Sequence, residues 1–101
     1  SDDDFIVFYG NQVLKVANRL LVILSKLEVK HFIDIKEAYY INERRWDIKL
    51  RNGIIINLSE NNIEESINSY IKLIKNFNST KIDLIKNIDL RNNEKAIISF
   101  K

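Results

Sequence analysis

Apolar residues occupy every second position on both sides of an Asn52-Gly53 pair, and this alternation constrains the fold more than any other part of the chain. The apolar side chains are Trp46, Ile48, Leu50, Ile54, Ile56 and Leu58. A period of two is that of a β-strand with one buried face, and an Asn-Gly pair between two such runs is typical of a β-hairpin. A two-residue turn would place the two apolar sets on opposite faces. We therefore expect a three-residue loop, Arg51 to Gly53, built from a type I turn and a bulge with positive φ at Gly53, so that Trp46 faces Leu58.

Two other segments have the three- and four-residue spacing of amphipathic helices. Asn11 is the expected N-cap of the first helix, whose apolar stripe is Val13, Val16, Ala17, Leu20, Leu21, Leu24 and Leu27. Asn61 or Asn62 is the expected N-cap of the second helix, with Glu64 or Glu65 a few residues later as in a capping box. The second stripe is Ile63, Ile67, Tyr70, Ile71 and Ile74, and a polar cluster from Asn76 to Thr80 follows it.

Further strands are expected near both ends of the chain. A short β-rich run from Phe5 to Tyr9 stops at Gly10. A longer run from Asp34 to Asn42 changes its alternation near Glu37, as a strand with a β-bulge does.

A second hairpin closes the chain, from Lys86 to Arg91 and from Lys95 to Lys101, with a turn around Asn92 and Asn93. Its core-facing side chains are expected to be Ile88, Leu90, Ala96, Ile98 and Phe100. Each helix needs a sheet surface to cover. The sequence therefore predicts a single α+β domain over residues 1–101, with a mostly antiparallel sheet and two helices packed on one of its faces.

The composition is that of a small globular domain and excludes several kinds of functional site. With 101 residues, 46% of them hydrophobic, no proline and two glycines, the chain can bury a core and is not expected to be disordered. The absence of cysteine excludes disulfides, thiolate metal sites and a cysteine nucleophile. Charges of both signs are interspersed, and the net charge of +2 does not demand a nucleic-acid partner. No run of about 18 apolar residues is present, and the Ser1 start with its three aspartates looks cut from a longer protein.

Signals for catalysis or cofactor binding are weak. His31 is the only histidine and has no nucleophile constellation around it, so we assign it no role. Two glycines cannot build a phosphate-cradling loop of either common kind. Glu64 and Glu65 point about 100° apart on a helix, and their position near its N-terminus explains them as cap and dipole partners. We therefore expect no enzymatic activity, no metal and no cofactor.

One alternative function is a small basic domain that binds nucleic acid. Tyr39 and Tyr40 lie near the cations Lys36, Arg44 and Arg45, and aromatic rings among cations are what stacking on single strands requires. Neighbouring residues of a strand point to opposite faces, however, and the net charge is small. Retention on a single-stranded oligonucleotide at physiological salt would support this alternative.

Two motifs resemble one bacterial family. They are the segment from Glu43 to Gly53, which reads ERRWDIKLRNG, and Ile85 followed by the segment from Ile88 to Arg91, which reads IDLR. In order and spacing they are similar to the cell-division family FtsQ, also called DivIB, in which an Arg-Arg-Trp strand leads through an Asn-Gly turn to a strand, a helix and an Asp-Leu-Arg strand. The likeness spans essentially the whole chain, although only these two motifs discriminate between families.

The resemblance implies a role and a context for the domain. Proteins of this family have a short cytoplasmic tail, one transmembrane helix, a POTRA domain and then a β domain, which this sequence would represent on the periplasmic side of the inner membrane. The family is a non-enzymatic divisome scaffold. Its β domain captures the FtsB-FtsL pair so that septal wall synthesis is assembled and activated, and the partner strand adds to the edge of the last strand, which is β-augmentation.

Carried over residue by residue, the resemblance places the partner site on the closing hairpin. The expected site residues are Arg91, Asn92, Glu94, Lys95, Ala96, Ile97, Ile98, Ser99 and Phe100, with Arg44 as a weaker candidate. Asn92 departs from relatives that have a tyrosine at this position, which weakens any expectation of an aromatic contact there.

Two of these residues have alternative roles within the domain. Arg91 can pair bidentately with a partner carboxylate, or internally with Asp89 or Asp47. Phe100 can anchor the partner, or fill the core beside Leu90. The sequence leaves both pairs of alternatives open.

Overall fold

The computed structural model describes residues 5–26 and 33–101. The strands in this part of the chain are β1 (Val7–Tyr9), β2 (Ile35–Ile41), β3 (Arg45–Leu50), β4 (Ile55–Ser59), β5 (Ile85–Asp89) and β6 (Ile97–Phe100). The helices are α1 (Val13–Lys26), α2 (Ile63–Lys75) and α3 (Ser79–Asp83), and a 3-10 turn over Glu60–Asn62 precedes α2. His31, Leu27 and the residues from Ser1 to Asp4 lie outside the described residues.

The strands form one sheet in the order β1-β2-β3-β4-β5-β6. The pairs β1-β2 and β4-β5 are parallel, because α1 and α2 carry the chain back between their strands. The other three neighbouring pairs are antiparallel. The predicted α+β class with a mostly antiparallel sheet and helices packed against it is thereby confirmed, and α3 is an additional short helix that the sequence reading missed.

The central hairpin has the predicted register. Trp46 pairs with Leu58, and Ile48 pairs with Ile56. The Gly53 N–H donates to the Leu50 carbonyl at 3.0 Å, and the φ angle of Gly53 is 94°. The three-residue loop with a left-handed glycine is therefore confirmed. The expected bulge in β2 is confirmed as well, since the pairing with β3 shifts between Ile35 and Glu37.

The core lies between the sheet and the helices. Trp46 is buried, and its ring centroid lies 4.9 Å from that of Tyr40 and 6.2 Å from that of Phe8, the latter in a T-shaped arrangement. From α2, Ile67 and Tyr70 close the same core. Burial raises the pKa of Tyr70 to about 12.

Of the two predicted N-cap positions, the one for the second helix is confirmed and the one for the first helix is not. The first helix begins at Val13, and the residue before it is Gln12 with φ 64°, so Asn11 lies one position too early to cap it. Asn62 occupies the N-cap position of α2 but makes no side-chain cap hydrogen bond. Its amide donates instead to the side chain of Asn93, so the expected capping box does not form. Asn78 is the N-cap of α3, where its side chain accepts from the Lys81 N–H at 2.8 Å.

Candidate protein-binding edge

β6 forms one edge of the sheet and pairs with β5 alone among the described strands. Ile97 lies opposite Asp89, Ile98 opposite Ile88, and Ser99 opposite Asn87. The strand is shorter than predicted, because Lys95 and Ala96 belong to the loop before it. No strand in residues 5–26 or 33–101 covers the other side of β6.

The direction of the unpaired backbone groups follows from the hydrogen bonds at the two ends of this hairpin. The Lys101 N–H donates to the Leu84 carbonyl at 2.8 Å, so the backbone N–H and C=O groups of Lys101 are directed toward β5. By alternation, the backbone groups of Ser99 and Ile97 are directed toward β5 as well. The Leu90 N–H donates to the Asn57 carbonyl at 2.9 Å, so the backbone groups of Leu90 are directed toward β4 and those of Asp89 toward β6. It follows that the backbone N–H and C=O groups of both Ile98 and Phe100 are directed away from the sheet.

The side chains of β6 are more exposed than the sequence predicted. Ala96 is exposed in the loop before the strand and Phe100 is 47% exposed, so the expectation that both fill the core is wrong. Phe100 pairs with Ile85 in the edge strand, and no further strand of the described residues flanks its side chain. Ile98 alone among the strand's side chains packs partly against the core. The Lys81 ammonium lies 5.2 Å from the centre of the Phe100 ring.

Arg91 is held within the domain by Asp89. Its Nε donates to Asp89 Oδ1 at 2.9 Å and its Nη2 to Asp89 Oδ2 at 2.8 Å, and the Arg91 backbone N–H also donates to Oδ1 at 3.0 Å. These bonds to Arg91 lower the pKa of Asp89 below its usual value, and the same bonds raise the pKa of Arg91. Of the two roles left open by the sequence, the internal pair is the one present here.

The loop between β5 and β6 lies between two surface grooves. Asn92 shapes this loop, because its Oδ1 accepts from the Glu94 N–H at 2.8 Å. The groove on the α2 side has a volume of about 630 Å³ and includes Glu65, Ser66, Glu94 and Lys95 in its lining. The groove on the other side has a volume of about 380 Å³ and is lined by Asp89, Arg91, Asn92, Lys95 and Ile97. The predicted loop residues thus surround the start of the edge strand.

Arg44 lies at the same end of the sheet as Arg91, but β4 separates their strands. It follows a tight turn in which Asn42 and Glu43 both have φ 53°. Its carbonyl accepts from the Glu60 N–H at 3.1 Å, and its side chain is exposed. The structure therefore places Arg44 at the same end of the sheet as the loop before β6, but not at the edge.

A polar network on the sheet surface away from the core was not predicted. Asn57 donates to Asp47 at 2.9 Å, Asn87 donates to Asn57 at 2.7 Å, and Arg45 pairs with Asp47 at 3.3 Å. Each of the two asparagines occupies an outward position of its strand. The alternation of the strands indicated a polar face, but only the strand order brings these side chains together.

The residues of the nucleic-acid alternative do not form one platform. Tyr39 stacks on Tyr9 at a centroid distance of 4.8 Å on the surface of the sheet. Tyr40 is buried on the opposite face and donates to Glu60 at 2.7 Å. Its burial, together with this bond, raises the pKa of Tyr40 to about 12. The two rings therefore cannot stack on the same strand of bases.

No group of three or more His, Cys, Asp or Glu side chains in the described residues is placed to hold a metal ion. Among the helices in residues 5–26 and 33–101, none has the length and apolar character needed to cross a bilayer.

Comparison with known proteins identifies the family. Residues 1–91 match the profile described as cell division protein FtsQ/DivIB, C-terminal. The match ends at Arg91, so the loop and β6 lie beyond it. A comparison with curated proteins found no match. Because the profile covers most of the sequence, the chain belongs to the FtsQ/DivIB C-terminal family of cell division proteins.

Proposed function

We propose that this domain is a non-enzymatic divisome scaffold module that captures the FtsB-FtsL pair by strand addition to β6. The observation that carries the proposal is the open edge, where the backbone groups of Ile98 and Phe100 point away from the sheet. An extended partner segment can satisfy these groups, which gives affinity, while side chains beside the edge give specificity. Membership of a cell-division family supplies the biological setting.

The setting proposed for the parent protein follows from the family resemblance. A single transmembrane helix anchors it in the inner membrane, a POTRA domain precedes the present domain, and both extracytoplasmic domains lie in the periplasm. Capture of FtsB-FtsL then places the activators of septal wall synthesis at the division site.

The proposal predicts that a single proline can block the edge. In Ile98→Pro the outward N–H is lost and the ring obstructs an approaching strand. We expect a peptide from the cognate FtsB to bind this variant about tenfold more weakly or worse, since one backbone hydrogen bond contributes about 1 kcal/mol and the obstruction adds to it. Isothermal titration calorimetry measures this difference.

Ile98→Ala is the matched control, because it loses the same side-chain packing but keeps the N–H. Equal affinities of the proline and alanine variants would refute strand addition at this edge. Ile97→Pro is a poorer test, because the Ile97 N–H points toward β5 and its loss breaks the hairpin itself. Arg91→Glu is also ambiguous, since it places a second carboxylate beside Asp89.

A further inference from the structure

The net positive charge of the chain is concentrated in its last part. Residues 79–101 contain five cationic and three acidic side chains, while residues 1–78 contain eleven of each. Within the last part, Arg91 and Asp89 neutralise each other in their ion pair. The remaining cations are Lys81, Lys86, Lys95 and Lys101, which we call the lysine group, and the remaining acids are Asp83 and Glu94.

The fold arranges the lysine group around β6. Lys95 precedes the strand and lines both grooves beside it, and Lys101 follows the strand directly. Lys86 is the extra residue where the β5-β6 pairing shifts between Ile85 and Asn87. Lys81 reaches the edge from α3, with its ammonium over the Phe100 ring. All four are exposed, and among the described residues none of them forms an ion pair.

Two apolar side chains project from the same short strand. Ile97 is 51% exposed on one face of the edge, and Phe100 is 47% exposed on the other. From these placements we infer that the segment received by β6 is an acidic peptide, with carboxylates that face the lysine group and bulky apolar residues that cover Ile97 and Phe100. This inference rests on the proposed function and specifies the chemistry of its partner.

The same charges argue against a second copy of this chain as the occupant. Antiparallel pairing of β6 with itself would bring Lys95 of one copy near Lys101 of the other. Like charges at a strand edge oppose such pairing, and lysines at edges commonly have this role. An acidic strand removes the repulsion and gains attraction from the same side chains.

Association kinetics with the cognate FtsB peptide test the inference. Electrostatic steering makes association strongly dependent on salt, so raising NaCl from about 50 to about 500 mM should slow the association rate about tenfold. Lys81→Glu and Lys101→Glu should each weaken binding about fivefold or more at low salt. The control Lys15→Glu, at an exposed position of α1, makes the same change in net charge and should alter binding less than about twofold.

A peptide variant completes the design. Replacing the aspartates and glutamates of the FtsB peptide by asparagine and glutamine should abolish the salt dependence. If the wild-type domain binds but neither salt nor the two lysine variants change the rate more than Lys15→Glu does, the acidic partner is excluded while strand addition stands. If the wild-type domain does not bind the peptide, the proposed function fails and this inference with it. Self-association of the domain through β6 would also overturn it.

Discussion

The carboxylate of Asp89, the last residue of β5, accepts hydrogen bonds from both the backbone and the side chain of Arg91. The pKa of Asp89 is lowered in the folded protein. The resulting stabilisation is therefore fully present above the ordinary carboxyl pKa and is lost as the pH falls through the lowered value. The partly exposed position of the pair limits its contribution.

We expect Asp89→Asn to lower the free energy of unfolding by about 1 kcal/mol at neutral pH, since the bidentate pair becomes at best a single neutral hydrogen bond. At an acidic pH below the lowered pKa of Asp89 both proteins carry an uncharged group at this position, so the difference should nearly vanish. Urea unfolding followed by circular dichroism at both pH values checks this. A difference that is the same at both pH values would contradict the ion-pair explanation.

The two glycines allow a matched comparison of steric and conformational effects. Gly10 has φ 131°, and a Cβ added there would lie 2.3 Å from the Tyr40 carbonyl oxygen in β2. Gly53 has φ 94°, but a Cβ there would have nothing within 4 Å. Gly53→Ala should therefore cost only the backbone strain, about 1 kcal/mol. Gly10→Ala should cost about 3 kcal/mol or more, since the chain must also move away from β2.

Thermal and urea denaturation of the two alanine variants test the comparison. The Gly10 variant should have the lower stability by both methods. Equal losses would show that the close approach of Gly10 to Tyr40 is relieved at little cost.

At the scale of elements, the sequence predicted those features that depend on neighbouring residues. The β3-β4 hairpin follows from its alternation and its Asn-Gly pair, and the bulge in β2 follows from a break in alternation. The helical stripes likewise depend only on spacing along the chain. These patterns are local, so composition and periodicity suffice to find them.

Features that depend on distant residues were not predictable in the same way. The side chain of Asn62 does not cap α2. Its amide nitrogen donates a hydrogen bond to the side chain of Asn93, which lies 31 positions away. The polar network on the outer face needs asparagines from β4 and β5 as neighbours, and only the parallel pairing of these strands provides that. α3 is a single short turn of helix with one clear signal, the Asn78 cap, in a cluster that reads equally well as a loop.

The candidate site was placed on the closing hairpin only through the family resemblance, and both its location and the roles of its residues stay predictions. Alternation assigned Ala96 and Phe100 to the core, but Ala96 precedes β6 and Phe100 lies in an edge strand. An edge strand has no neighbour on one side, so its inward side chains stay partly exposed. The lysine group was visible as scattered lysines, but its arrangement around β6 requires the hairpin and α3 together.

At the scale of the whole molecule, β6 contributes little to the core that holds the domain together. The buried side chains come from α1, α2, β2 to β5 and the segments beside them, and β6 adds only the partly buried Ile98. The radius of gyration of 12.9 Å is that of a compact chain of this length. Most of the folding free energy therefore resides in residues before Arg91, while the strand after it supplies the binding edge.

A chain that ends after Arg91 should therefore still fold but not bind. Deleting residues 92–101 removes the hydrogen bonds of β6 to β5 and the packing of Ile98, which together should lower the free energy of unfolding by about 3 kcal/mol. For a domain of about 100 residues, whose total stability is about 5 to 15 kcal/mol, cooperative unfolding should survive this loss. Urea unfolding measures the first expectation, and calorimetry with the FtsB peptide measures the second. A truncated chain without a cooperative transition would show that β6 belongs to the folding unit, and one that binds with unchanged affinity would place the partner site elsewhere in the domain.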